Sequence, residues 1–141
     1  SMSHSIQNCS LTIISQPQSK DKVLLKFSIK NAFNKNMKLL IWYTPFEGFL
    51  SDLFIIKKTD TDQRVKYQGA MVKRLNPQPE DYLPILANEI STVEMNLSLA
   101  YAFTKGSYQL KMKSQTFYFQ DDNSNRFPVF CKASTVKLEV L

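Results

Sequence analysis

The chain has 141 residues but only three glycines, one histidine, three arginines and two cysteines. Three glycines set far apart exclude a glycine-rich phosphate loop. A single histidine, His4 near the start of the chain, is the one base on offer to a serine or cysteine triad, and a two-histidine zinc site is denied its ligands. Two cysteines are too few for a disulfide scaffold, and their spacing fits no zinc motif. No apolar run approaches the roughly 20 residues of a membrane-spanning helix. No ten-residue window carries a 3.6-residue apolar stripe either, so helices beyond single turns near Glu80–Leu83 and Leu97–Tyr101 are not expected.

What remains reads as strands. Hydrophobic residues make up 43% of the chain and charged ones 21%, a composition that suits one globular domain with a real core. Val23, Leu25, Phe27 and Ile29 alternate with Lys22, Lys26, Ser28 and Lys30. The same period of two recurs at Cys9–Ile13, Val93–Leu99, Tyr108–Lys113 and Val136–Val140. Residues 37–43 are apolar on both faces, which predicts a central strand with Trp42 in the core. Turn signals stand at Pro17–Asp21, Asn31–Asn36, Thr59–Gln63, Lys105-Gly106 and Asp121–Asn125. The expected fold is all-β: a single immunoglobulin-like antiparallel β-sandwich of about seven to nine strands. It is expected to fill residues 8–141, after a disordered tail over residues 1–7 whose Ser1-Met2 opening reads as an expression scar. Tyr108, just after Gly106, sits where such sandwiches place a tyrosine that bonds back to the preceding corner.

Net charge is +6, and its lysines are scattered along alternating strands rather than gathered. That is the pattern of a solvated sheet face, and it gives no reason to expect a specific nucleic-acid site. The alternative is a binder of an acidic surface, either nucleic acid or anionic lipid. Two readings of Cys9 and Cys131 stay open: a disulfide, if the first and last strands are neighbours, or two buried thiols. The basic, apolar, small-residue order of a signal peptide is not seen, which leans toward the cytoplasm if Met2 is a native start.

Residues 41–54, IWYTPFEGFLSDLF, read as a tight corner. Pro45 fixes φ, Thr44 is held extended, and Gly48 permits a backbone angle that a side chain resists. Trp42, Phe46 and Phe49 pack while the chain turns. Glu47 reads as a solvated loop acid or as a partner of Lys73 or Arg74, with the solvated reading favoured. Further on, Glu80 or Asp81 is expected to pair with that basic couple and staple the loop. Tyr118, in the aromatic run TFYFQ, points outward if Phe117 and Phe119 face the core. Asp121–Asn125 offers clustered oxygens for calcium, but a polar hairpin tip explains it better.

Three ordered blocks carry a family resemblance. The first ends a strand in Thr44, Pro45, Glu47 and Gly48. The second runs through Tyr67, Gly69, Lys73, Arg74, Pro77, Asp81 and Tyr82. The third is a leucine-rich stretch leading to Tyr101, Gly106 and Tyr108. Over residues 22–113 this succession resembles the non-catalytic N-terminal domain of deuterolysin-like zinc peptidases, the lysine-specific metallo-endopeptidase group. The resemblance implies the fold and a protease-associated role. It does not bring peptidase activity, because the zinc domain with its histidine motif has no counterpart here. The chain is therefore expected to be a non-enzymatic module with no cofactor, which binds another protein, a peptidase among the candidates, as a regulator or inhibitor. The candidate contact residues are Glu47, Phe49, Lys73, Arg74, Tyr82 and Tyr118.

Overall fold

A computed structural model describes residues 9–14 and 18–141. The expected tail over residues 1–7, with His4, and part of the turn at Pro17–Asp21 lie outside them. Ten strands follow in order: β1 (Cys9–Ile13), β2 (Leu24–Lys30), β3 (Met37–Leu40), β4 (Phe54–Lys58), β5 (Tyr82–Ile85), β6 (Ile90–Asn96), β7 (Gly106–Met112), β8 (Gln115–Gln120), β9 (Arg126–Cys131) and β10 (Val136–Val140). They form three antiparallel sheets ordered β1-β2-β6, β10-β7-β4 and β5-β3-β8-β9. No α-helix occurs among the described residues. Single 3₁₀ turns stand at Pro79–Asp81 and Leu97–Leu99, inside or beside the two places where one turn is expected, and another at Pro45–Glu47.

The fold is the expected all-β sandwich, with ten strands among the described residues instead of seven to nine. The additional ones are β4, β5 and β9. Alternation decides which faces meet. On β2, Leu25, Phe27 and Ile29 are buried, while Lys26 lies opposite Glu94 and Ser28 opposite Thr92 on the outer face. On β7 and β8 the inward sets are Tyr108, Leu110 and Met112, and Phe117 and Phe119. These sets close into one apolar core, in which Phe27 meets Phe117 edge-on at 6.1 Å. Full burial of each large side chain contributes about 1.5–3 kcal/mol, which offsets the cost of ordering so many short strands.

The chain passes between sheets near its start. β1 pairs with β2, but Gln18 makes a parallel bridge to Val140 on β10, its amide donating to the Glu139 carbonyl at 2.9 Å. Both edges of the four-stranded sheet carry a proline, Pro84 on β5 and Pro128 on β9, which lack the N–H that a further strand would need. Cys9 on β1 and Cys131 on β9 form a disulfide with Cα atoms 6.0 Å apart. The cysteine on the later side lies on β9, not on the last strand.

The strand expected over residues 37–43 ends at Leu40. Trp42 lies beyond it, half-buried, and is not part of the buried core. The reason is local: Tyr43 takes a left-handed φ of 58°, which no strand accommodates, and the chain turns there.

Candidate protein-binding surface

The corner after β3 is built from its own side chains. The Thr44 hydroxyl donates to the Ile41 carbonyl at 2.7 Å and accepts from the Phe46 amide at 3.1 Å. Pro45 opens the 3₁₀ turn, and Gly48, with φ of 77°, closes it by donating to the Pro45 carbonyl at 3.1 Å. Phe46 reaches Phe27 edge-on at 5.8 Å, and Phe49 reaches Tyr101 at 6.4 Å. The sharp turn is thereby fixed to the core.

Glu47 is not the solvated acid that the sequence favours. Its side chain is 3% exposed, accepts the Tyr43 amide at 2.8 Å, and forms an ion pair with Arg74. The guanidinium also lies over the Trp42 ring, 5.2 Å from its centre. One carboxylate thus holds the left-handed residue of the corner and the middle of a segment 27 positions away. The expected staple through Glu80 or Asp81 is corrected accordingly. Asp81 accepts the amide of Gln78 at 2.8 Å within its own turn, and neither acid pairs with Lys73 or Arg74. Lys73 stays exposed.

The segment from Tyr67 to Gln78 crosses above this corner without regular structure. Tyr67 bridges to Tyr101 and stacks on it at 5.5 Å, and its hydroxyl donates to the Ala70 carbonyl. A Cβ on Gly69 would overlap the Tyr67 ring, so any other residue there has to displace that ring. The Val72 amide then donates to the Leu50 carbonyl at 3.3 Å. Below, the Tyr101 hydroxyl donates to Asp52 at 2.7 Å, and Lys113 reaches the other oxygen of that carboxylate at 3.2 Å. Burial, followed by the hydrogen bond to Asp52 and its charge, pushes the Tyr101 phenol up. Burial pushes the Tyr67 phenol up as well, with Asp52 and Glu47 adding to it.

With Arg74 drawn inward, its neighbours face out. Met71 is 77% exposed and Leu75 is 91% exposed, with Lys73 between them. The sequence reading passed over both apolar residues. The available signal was an apolar pattern broken by Lys73-Arg74, with Gly69 and Pro77 on either side and no strand to bury it.

The six candidate contact residues therefore divide. Lys73 is on the exposed segment. Glu47, Phe49 and Arg74 support it from beneath. Tyr82 and Tyr118 lie on the outer face of the four-stranded sheet, where Tyr82 borders a shallow groove with Lys38, Pro79 and Pro84. Tyr118 is 38% exposed and carries the Arg126 guanidinium over its ring at 5.5 Å. Of the structural residues, Tyr108 donates its hydroxyl to the Thr104 carbonyl at 2.8 Å and accepts the Thr104 amide at 2.9 Å, closing the corner before β7. Gly106 opens that strand.

The Asp121–Asn125 tip is occupied by its own side chains. The Asp121 carboxylate accepts the amides of Asn123 and Asn125, each at 2.9 Å, and an ion pair from Lys35 at 3.2 Å. Burial pushes this carboxyl up, but the bonds from Asn125, Lys35 and Asn123 outweigh it and hold it below the usual carboxylate range. Among the described residues no group of three or more His, Cys, Asp and Glu side chains is placed to hold a metal ion. No helix of the described residues is long and apolar enough to cross a membrane.

Over 94 residues the chain is 29% identical to an extracellular protease of Aeromonas hydrophila. The aligned stretch is 66% of this chain and 26% of that protein, so the chain spans about a quarter of the protease's length. No family model matches the chain. This distant, partial likeness is consistent with a protease-related domain.

Proposed function

We propose that the chain is a non-catalytic, protease-associated β-sandwich that binds another protein through the segment from Gly69 to Gln78. The observation that carries this reading is Met71 and Leu75 held outward, 77% and 91% exposed, on a segment anchored from beneath by Glu47 and Arg74. An anchored, outward-facing segment loses less freedom on binding than a loose one, so more of its contact energy appears as affinity. The likeness to part of an extracellular protease supports the protease association. The ordered blocks from Thr44 to Tyr108 support the finer assignment, a domain like the non-catalytic N-terminal one of deuterolysin-like peptidases. The Cys9–Cys131 disulfide supports work in an oxidising compartment over the cytoplasmic lean of the sequence.

The test is affinity capture from source material with mass spectrometry, comparing the wild type with a Met71→Ser/Lys73→Ala/Leu75→Ser variant. A protein held by the wild type and lost by the variant is the expected result. Equal recovery by both would sink the assignment of the surface.

A second reading rests on a shallow cleft lined by Lys58, Arg64 and Lys66 beside Tyr108. It would take an acidic surface. Arg64 already lies 3.9 Å from Asp52, which lowers the free positive charge there. Binding to a heparin column that vanishes at physiological salt would reduce this reading to nonspecific attraction.

A further inference from the structure

Resting on the protein-binding reading above, the main chain of the same segment points to the kind of partner. Among the described residues the amides of Lys73, Arg74, Leu75 and Asn76 have no backbone partner. Of the apolar side chains Met71 and Leu75 stand furthest out and Val72 less so, Lys73 is exposed, and Arg74 turns inward. No turn or bend interrupts residues 70–75, so the segment runs extended beside no sheet, with the amides from Lys73 to Asn76 free of backbone partners and Met71, Lys73 and Leu75 exposed at two-residue spacing. A surface that recognises this geometry pairs with the main chain and offers a pocket for every second side chain. Clefts that read extended peptides, peptidase clefts foremost, are built this way. Exposure ranks the side chains, and Leu75 stands furthest out.

We propose that residues 70–76 occupy the substrate cleft of a peptidase with an apolar primary pocket, which Leu75 fills. Lys73 lies at the cleft rim, where the protein's net charge of +6 favours an acidic border. The segment is retained because it is fixed at its start, by the Tyr67 hydroxyl on the Ala70 carbonyl, and within, by Val72 on Leu50 and Arg74 on Glu47. An unanchored peptide of the same sequence lacks those ties and behaves as an ordinary substrate.

The experiment uses the full chain against two purified peptidases with apolar primary pockets, the zinc enzyme thermolysin and the serine enzyme subtilisin. The expected result is competitive inhibition of at least one, with the intact chain recovered, and a tenfold or greater loss of inhibition in Leu75→Glu. Leu75 is 91% exposed, so this variant folds, and an unchanged melting temperature verifies it. Inhibition of neither enzyme, rapid cleavage between residues 70 and 76, or equal inhibition by Leu75→Glu overturns the proposal. Capture with immobilised wild type and Leu75→Glu separates this failure from a wider one. A specific partner kept by both overturns the role of Leu75 alone. No partner on either overturns the protein-binding reading as well.

Discussion

Two irregular regions of the molecule are stabilised in opposite ways. The tip at Asp121–Asn125 satisfies itself: one carboxylate takes the amides two and four residues later. The segment from Gly69 to Gln78 is held from outside, by Glu47, Tyr67 and the carbonyl of Leu50. A self-satisfied turn has little backbone left to offer. The segment fixed by remote groups keeps the amides from Lys73 to Asn76 free of backbone partners. Stability and recognition are thereby assigned to different atoms of the same stretch, which is why the second region, not the first, is the candidate contact surface.

Removing the remote anchor is the strongest way to break this contrast. Glu47→Ala leaves Arg74 without its partner and releases the Tyr43 amide, a loss expected to cost about 3 kcal/mol by urea denaturation. The same variant should be nicked within residues 70–76 by a trace of protease that spares the wild type. Gly69→Ala, which drives a methyl group into the Tyr67 ring, should cost about 2 kcal/mol through overpacking. A melting temperature equal to that of the wild type would show that the ring can move aside.

The tip answers to acid instead. Because the folded Asp121 carboxyl titrates below its usual range, its contribution is present above about pH 4, the unfolded aspartate value, and is lost as pH falls through the lower folded value. Asp121→Asn should therefore lower the melting temperature at neutral pH by less than Glu47→Ala does, and flatten the decline in acid. A decline as steep as that of the wild type would assign the acid sensitivity elsewhere. The smallest expected effect is that of Leu75→Ser, within about 0.5 kcal/mol of wild-type stability. A larger loss would mean that Leu75 packs against the fold and is not offered to a partner.

Period-two alternation makes β1, β2, β6, β7 and β10 legible in the sequence, and the aromatic run marks β8. The strands it missed have two causes. β5 and β9 contain Pro84 and Pro128, which a sequence reading takes as breaks, yet an edge strand tolerates them. β4, FIIKK, shows no clean alternation. Trp42 was assigned to the core because apolarity alone does not reveal that Tyr43 turns left-handed one residue later. At the candidate site, Thr44, Pro45 and Gly48 announced the corner, since their constraints are local. The choice of Arg74 for Glu47 was not legible in the same way. Which acid reaches which base across 27 positions is set by how the strands stack, and Glu80 and Asp81 were nearer in sequence.

The disulfide has a mechanical consequence. Cys9 and Cys131 stand near the two ends of the described chain, 122 positions apart, a length of roughly 400 Å if drawn out straight. A pull applied at Cys9 and Cys131 is carried across the sulfur bridge, over a Cα separation of 6.0 Å, and not through the strands between them. While the bond holds, the span between the cysteines adds no length, and of the strands only β10, beyond Cys131, can peel away from β7. Reduction turns the same domain into a long spring.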